Sequence, residues 1–382
     1  MKVRGAVLAL ALAGGLAAAE PTAVHLIRTP QGGLQPQVAV GRDGAVHLIY
    51  FLGDPEAGDI YYVRQTPGAP GFSKPLRVNS QPGSAMAIGT IRGAQIALGR
   101  NGRVHVAWNG SRQAEPKGPG GAIPMLYARM NDVGTAFEPQ RNVMQVAAGL
   151  DGGGSLAADE AGNVYVAWHA PGLNASGEEN RRVWVARSRD DGKTFAREEP
   201  AWREPTGACG CCGLRAFVDS RGVLYVFYRA ATHGDDRDMV LLASEDHGVT
   251  FRGTRVHKWK LNACPMSSDF LAEDGNGVLA AWETQSQVYF AKADPRTLQI
   301  SPPVPAPGAG SRKHPVLAVN TQGETILVWT EGTGWKKGGS VAWQVFDGAG
   351  RPIGEGGKAA GLPAWSLAAV FARPDGSFTI IY

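Results

Sequence analysis

One strand-turn-strand pattern recurs seven times along this chain. Each copy has an apolar segment, a turn that contains glycine, and a second apolar segment that ends in an aromatic residue. The copies start roughly 50 residues apart, which is the spacing of propeller blades. The seven copies are Val38–Tyr50, Ile96–Trp108, Leu156–Trp168, Phe217–Tyr228, Phe270–Trp282, Leu317–Trp329 and Leu367–Tyr382.

These segments are strands, because they alternate with a period of two, are rich in Val, Tyr and Trp, and are interrupted by glycine. Second hairpins lie between the copies, such as Ile60–Arg64 with Phe72–Val78, and Val288–Lys292 with Leu298–Ile300. Each repeat therefore predicts a four-stranded antiparallel blade, and radial stacking of such blades protects their edges. The predicted fold class is all-β, a β-propeller.

The two ends of the chain predict how the ring closes. The last copy stops after two strands at Tyr382, and the strand Val24–Arg28 has no partner in its own part of the sequence. We therefore expect the N-terminal strand to complete the last blade and close a ring of seven blades. Six blades would follow if the terminal copy packed only as an extra hairpin.

An eight-residue pattern, S-x-D-x-G-x-T-F, occurs at Ser188–Phe195 and Ser244–Phe251, with a degenerate third copy at Met130–Phe137. Its chemistry suits a tight turn, since the Asp carboxylate can accept hydrogen bonds from turn amides and glycine supplies a positive φ. The pattern resembles the Asp box, or BNR repeat, of sialidase-type β-propellers. The resemblance implies a glycan-directed protein, although Asp boxes lie on outer hairpins away from the chemistry.

The N-terminus has the pattern of an export signal. Lys2 and Arg4 precede the apolar run Ala6–Leu16 and a small-residue cleavage site that ends at Ala19. We expect a signal peptide over residues 1–19 and one propeller domain over residues 20–382, secreted or periplasmic in a bacterium. A retained N-terminal anchor is the alternative, but neither this run nor any later stretch is long enough to span a bilayer.

The composition supports these expectations. Removal of Lys2 and Arg4 lowers the formal net charge from +4 to +2, so the charge predicts no nucleic-acid partner. A hydrophobic content of 43% allows a large core. No linker or low-complexity segment divides the chain, and we expect a monomer that binds a glycan or another small ligand.

Arginine and aromatic residues mark the segments that lead into the innermost strands. Arg92, Arg215 and Arg312 each lie at such a position, and so does Trp365. The sialidase resemblance implies that an arginine triad holds a sugar carboxylate, for which a planar guanidinium is suited. The alternative is that these arginines form salt bridges between blades. Trp365 is a separate candidate to stack on a ligand.

The catalytic set that the resemblance implies is a Tyr nucleophile activated by a Glu, with an Asp as acid and base. This sequence departs from it, because the Phe/Tyr-Arg-Ile-Pro motif is absent and no Glu–Tyr pair can be named. Asp151 and Asp269 are the candidate acids. Whether the protein is an enzyme therefore stays open.

The cysteines form the most specific cluster in the sequence. Three lie within four residues, at Cys209, Cys211 and Cys212, and Cys264 lies just before the next repeat. An even number of cysteines in an exported protein predicts disulfides. The alternatives are free thiols or a Cu(I), Zn or redox site, with Met266 and His314 as further ligands.

Three functions are compatible with these observations. The first is an exported glycan-directed propeller, either an exo-sialidase-like hydrolase or a lectin-like binder. The second is a periplasmic metal or thiol-redox protein that uses the cysteine cluster. The third is a non-catalytic scaffold for protein partners. An open pocket with acidic and arginine side chains would favour the first, and converging sulfur atoms would favour the second.

Overall fold

The computed structural model describes residues 22–171 and 175–382 and contains seven β-sheets arranged in a ring. Six sheets have four antiparallel strands and the seventh has three. The predicted signal peptide lies outside the described residues. Helical structure in the described part is limited to four short 3-10 turns, at Pro30–Gly32, Arg100–Gly102, Pro119–Gly121 and Glu178–Asn180. None of it is long and apolar enough to cross a membrane.

Blades 1 to 3 follow one another along the first half of the chain. Blade 1 contains β2 (Leu34–Val40), β3 (Val46–Asp54), β4 (Ala57–Gln65) and β5 (Leu76–Arg77). Blade 2 contains β6 (Gln95–Leu98), β7 (Val104–Asn109), β8 (Met125–Arg129) and β9 (Arg141–Asn142). Blade 3 contains β10 (Ser155–Ala158), β11 (Val164–Pro171), β12 (Arg181–Ser188) and β13 (Glu199–Pro200).

Blades 4 to 6 repeat the same order. Blade 4 contains β14 (Leu214–Val218), β15 (Leu224–Arg229), β16 (Met239–Ser244) and β17 (Arg252–His257). Blade 5 contains β18 (Phe270–Glu273), β19 (Val278–Thr284), β20 (Gln287–Ala293) and β21 (Val304–Pro305). Blade 6 contains β22 (Arg312–Val319), β23 (Thr325–Glu331), β24 (Gly339–Phe346) and β25 (Pro352–Leu362).

Blade 7 closes the ring with strands from both ends of the chain. It contains β26 (Ala369–Ala372), β27 (Phe378–Ile381) and the N-terminal strand β1 (Val24–Ile27). β1 pairs with β27 in parallel, with Val24 opposite Phe378 and Ile27 opposite Ile381. The closure prediction is therefore confirmed, and the six-bladed alternative is wrong, because the terminal hairpin forms the two inner strands of a seventh blade, which has three strands and not the predicted four.

The innermost strand of each blade contacts the innermost strands of both neighbouring blades, around the whole ring. We call the face where these strands begin the top face, and the opposite face, with the turns of the seven strand pairs, the bottom face. Towards the bottom, the central channel is an apolar cavity of about 430 Å³ lined by residues such as Val38, Ile96 and Leu317. Towards the top, Gln37, Gln95, Arg215 and Asp269 make it polar.

The core lies between the blades. Strands such as β7 and β15 are buried on both faces, because each blade is packed on two neighbours. Trp108, Trp168 and Trp282, which end the second strand of their repeats, are fully buried. These rings are therefore interblade packing and are closed to a ligand.

The two complete S-x-D-x-G-x-T-F copies form turns between the third and fourth strands of blades 3 and 4. Asp190 accepts hydrogen bonds from the Thr194 amide (2.9 Å) and hydroxyl (2.7 Å), and Asp246 accepts the equivalent pair from Thr250. Burial opposes ionisation, but the Thr and Ser hydrogen bonds outweigh it and lower the pKa of each carboxyl to about 2. Both turns lie on the bottom face, far from the start of the inner strands.

Two details differ from the sequence prediction. In the degenerate third copy, Asn131 caps the turn by accepting from the Thr135 amide (2.9 Å), while Asp132 points outward to Arg103. In blade 5, a turn capped by the Asp294 carboxylate, which accepts from the Thr297 amide (2.8 Å), reduces the predicted strand Leu298–Ile300 to a single bridge between Ile300 and Ala293. The outer strand is instead β21, which begins at Val304.

Candidate functional site at the top face

The cysteine-rich loop leads into β14 and is fixed by backbone hydrogen bonds at both ends. The Cys209 amide donates to the Arg229 carbonyl (2.9 Å), and the Gly213 amide donates to the Ser267 carbonyl of blade 5 (3.0 Å). Cys209 and Cys212 are buried and joined by a disulfide, with their Cα atoms 5.4 Å apart. The loop is therefore anchored between blades 4 and 5.

The other two cysteines are thiols that extend this cluster to the surface. The Cys211 sulfur lies 3.6 Å from that of Cys209, and the three sulfurs of the loop lie within 4.8 Å of one another. Burial and a hydrogen bond with the Cys264 thiol raise the pKa of Cys211 to about 12. Cys264 is exposed. The three loop sulfurs thus converge with Cys264 near Cys211, but the disulfide joins Cys209 to Cys212 and not to Cys264.

The glycine run before β10 allows close packing against this loop and against blade 2. A Cβ on Gly152 would collide with the carbonyl of Cys212, and a Cβ on Gly153 would collide with the carbonyl of Ile91. Close backbone approach of this kind requires glycine. Gly152–Gly154 therefore have a packing role.

Polar side chains of blade 3 hold the loop from the other side. His169 donates from Nε2 to the Cys212 carbonyl (3.0 Å) and accepts at Nδ1 from Arg181 (3.2 Å), which requires the neutral ring. Burial, with Arg181 beside it, lowers the pKa of His169 to about 4. Glu178 accepts from the Gly210 amide and forms an ion pair with Arg237 at 2.6 Å.

A second set of charged side chains lies near the segment that carries Cys264. The Lys313 ammonium donates to the Pro265 carbonyl, and the Arg229 guanidinium lies 3.6 Å from the Glu283 carboxylate. Burial lowers the pKa of Lys313 and raises that of Glu283. Glu283 is only 2% exposed, so it is enclosed by protein.

The predicted arginine triad does not assemble, because the three arginines occupy three separate places. Arg92 forms an interblade ion pair with Asp151 at 2.6 Å. Arg215 lies in the central channel, donates to Gln95 Oε1 (2.5 Å) and stacks on Phe270 at 4.4 Å. Arg312 is buried between blades 5 and 6 and donates to Glu331, Gln287 and three backbone carbonyls. The alternative prediction, a salt bridge between blades, applies to Arg92.

The two candidate acids, Asp151 and Asp269, differ in burial and in their partners. Asp269 is buried in the upper channel, its Oδ1 has no hydrogen-bond partner, and burial raises its pKa well above the ordinary value although Arg229 and Arg215 oppose this. Asp151 has a side chain that is 43% exposed and is held by Arg92.

The two further metal ligands that the sequence suggested are His314 and Met266. The His314 ring is hydrogen-bonded to the Ser268 hydroxyl (3.1 Å), and Met266 contacts the Cys211 sulfur through its backbone amide.

An open pocket of about 410 Å³ lies beside the Arg92–Asp151 pair. It is formed by loops of blades 1, 2, 3 and 6 and combines apolar and polar side chains. Its lining residues are Glu56, Ala57, Met86, Ile88, Arg92, Asn109, Arg112, Gln113, Ile123, Leu150, Asp151 and Trp335.

Trp335 is the residue of this pocket that the sequence interpretation missed. Its side chain is 55% exposed, and its ring meets the ring of Trp365 edge to face at a centroid distance of 4.6 Å. Trp365 itself is only 8% exposed, so it supports Trp335 and is not the surface that a ligand would touch. The clue in the sequence was an aromatic residue inside the glycine-rich loop Gly332–Gly338, which joins the second and third strands of blade 6.

A larger cleft of about 790 Å³ lies on the bottom face between blades 1, 5, 6 and 7. Its lining includes many Pro, Val, Ala and Gly residues of the turns, with the charged side chains Glu273, Asp274 and Arg373 among them. The top-face pocket has the stronger combination of an exposed aromatic ring and converging polar groups, which is the usual character of a small-molecule site.

No family model matches the chain, and no curated protein matches it significantly. Solved structures do match. A Hadza microbial sialidase, Hz136, superposes with a TM-score of 0.52 at 14% identity over 83% of this chain and 70% of that one. An α-L-arabinanase of Penicillium chrysogenum, complexed with arabinobiose, gives 0.54 and 14% over 83% and 94%. A fungal alcohol oxidase of the AA5 family, in complex with copper, gives 0.51 and 12% over 91% and 69%.

The chain therefore has a sialidase-like β-propeller fold, as its repeats predicted. Identities this low establish the fold alone, and the matched proteins named above include a sialidase, an arabinanase and an alcohol oxidase. The function has to be argued from the side chains of the top face.

Proposed function

We propose that this protein is a glycan-binding propeller that holds a sugar in the top-face pocket and does not cleave it. The observation that carries the proposal is the position of the exposed Trp335 ring next to the Arg92–Asp151 pair in one pocket. The pocket volume of about 410 Å³ falls in the range of small-ligand sites, roughly 300–1,000 Å³.

The pocket offers the two kinds of contact that a sugar needs. An indole ring provides a rigid apolar surface for the C–H face of a pyranose. Trp335 is fixed for this purpose by its contact with Trp365. Asp151 and Glu56 can accept hydrogen bonds from hydroxyls, and the exposed side chains of Arg112 and Gln113 can donate to them.

Binding without hydrolysis follows from the residues that face the pocket. Asp151 is engaged by Arg92, which donates to both its carboxylate and its carbonyl. The described residues that line the pocket include no tyrosine, so a Glu-activated Tyr nucleophile is missing. Tyr382 does not line the pocket, because its ring packs against the Arg28 guanidinium at 4.1 Å in the closing blade.

The proposal is tested with a glycan array probed with the purified protein, followed by calorimetry on the strongest ligand. We expect Trp335→Ala to weaken binding at least tenfold, or about 1.4 kcal/mol, and Arg112→Ala to weaken it severalfold. Trp335→Phe should keep part of the affinity.

Two variants on the bottom face serve as matched controls. Val133→Ala removes an apolar side chain that is 77% exposed, and Arg42→Ala removes an arginine whose side chain is 81% exposed. Both should bind like the parent. Failure to bind any glycan, or equal affinity for parent and Trp335→Ala, would contradict the proposal.

A further inference from the structure

We propose that the reduced cysteine cluster binds one thiophilic d10 metal ion, Cu(I) or Zn(II), at the top face. The ligands are the sulfurs of Cys209, Cys211, Cys212 and, for Zn(II), Cys264. This site is separate from the glycan pocket and does not depend on it.

The sulfur positions are already close to those of a metal–thiolate centre. Tetrahedral Zn–S bonds of about 2.3 Å place neighbouring sulfurs about 3.8 Å apart. Cys209 and Cys211 have their sulfurs 3.6 Å apart, and all three loop sulfurs lie within 4.8 Å of one another. Cys264 lies close enough to Cys211 to affect the ionisation of its thiol. Small side-chain rotations would therefore bring the sulfurs around one ion.

The backbone that carries the sulfurs is held in place. Hydrogen bonds anchor the loop at Cys209 and Gly213, and His169 holds the carbonyl of Cys212. Lys313 holds the carbonyl of Pro265, next to Cys264. Ligands on a fixed backbone lose little freedom when a metal binds, so the geometry favours a defined site.

Three cationic side chains lie around the cluster, where burial otherwise opposes ionisation of Cys211. Arg181, Arg229 and Lys313 all lie close enough to Cys211 to interact electrostatically with its sulfur. Glu178 of blade 3, which accepts from the Gly210 amide of the loop, forms an ion pair with Arg237 at 2.6 Å. Three or four thiolates around one cation carry a net negative charge, which these three cations offset.

Metal binding and the disulfide use the same sulfurs and therefore exclude each other. A dithiol reductant would transfer two electrons and two protons to the Cys209–Cys212 bond, which breaks into two thiols while the reductant becomes a disulfide. The ion then displaces the thiol protons. The oxidised protein should bind no metal at this site.

The test uses the intact protein, reduced without oxygen and freed of metal, in competition titrations with chromophoric Zn(II) and Cu(I) chelators. We expect one equivalent of metal, and at least a 100-fold loss of affinity in Cys211→Ser. Cys264→Ser separates the two ions. A Zn(II) site with four sulfurs would lose affinity by a similar factor, whereas a Cu(I) site held by the three loop sulfurs would change by less than about threefold.

Ser220→Ala, on the bottom face, is the control and should bind as the parent does. Thiol alkylation followed by mass spectrometry gives a readout that needs no variant. Metal should protect at least three cysteines that react in the reduced, metal-free protein. The proposal is overturned if the reduced parent binds neither ion more tightly than Cys211→Ser, or if metal leaves all four thiols equally reactive.

Discussion

The closing blade makes a quantitative prediction about cooperativity. Ile380 lies in the middle of β27, opposite Val370 on one side and the N-terminal Leu26 on the other, and its side chain is fully buried. Ile380→Ala removes three buried carbons, worth about 0.8 kcal/mol each, and leaves a cavity. The expected loss is about 3–4 kcal/mol.

For roughly 360 folded residues, an unfolding entropy of about 2.1 cal/mol/K per residue converts this loss into a decrease in Tm of about 4–5 °C. Differential scanning calorimetry measures it directly. Ile49→Ala is the matched control, since Ile49 is 1% exposed in the second strand of blade 1, which is built from one continuous segment.

Both variants should melt in one transition at similarly lowered temperatures. If Ile380→Ala lowered Tm by less than about 1 °C while Ile49→Ala lowered it by several degrees, the terminal hairpin would be an appendage and the closure argument would fail. Deletion of residues 20–30 should destabilise the protein more strongly, and a melting temperature within a degree or two of the parent would also contradict closure.

Three further predictions follow from the charged groups. The Asp190 and Asp246 carboxyls, whose pKa is lowered to about 2, stabilise the fold at pH values above their unfolded pKa of about 4. This stability should be lost as the pH falls from about 4 towards 2. The double variant Asp190→Asn, Asp246→Asn should therefore show a smaller change of Tm with pH over that range. Arg312→Ala should cost about 3 kcal/mol, because it leaves buried acceptors without a donor, yet glycan affinity measured below the melting temperature should not change. The protein should release no sialic acid from an aryl sialoside; robust release that Arg215→Ala and Arg312→Ala abolish would restore a sialidase mechanism.

The fold was largely predictable because each blade repeats the same local pattern. An apolar strand, a glycine turn and an aromatic-ended strand specify one hairpin, and seven hairpins can bury their faces only against one another. Errors arose where a single side chain changed the local outcome. Asp294 caps a turn just before Leu298 and Ile300, which reduces the expected strand to one bridge, and Asn131 replaces the expected Asp132 as a cap.

The site was less predictable, because it depends on which loops meet across blades. Position at the start of an inner strand placed Cys264 near Cys211, although the two residues belong to neighbouring blades. The same rule failed for Arg312, whose side chain turns into the space between blades and not towards the channel. It also missed Trp335, since that residue lies on a loop between the second and third strands and carries no motif.

The most direct test of the glycan-binding site is an indole ¹H–¹⁵N NMR titration of the ten tryptophans with the strongest array ligand. We predict that the Trp335 resonance, and to a lesser extent that of Trp365, will shift in a saturable way. The fully buried Trp108, Trp168 and Trp282 should not move. Saturable binding that leaves the Trp335 resonance unchanged would place the ligand elsewhere and contradict the proposed site.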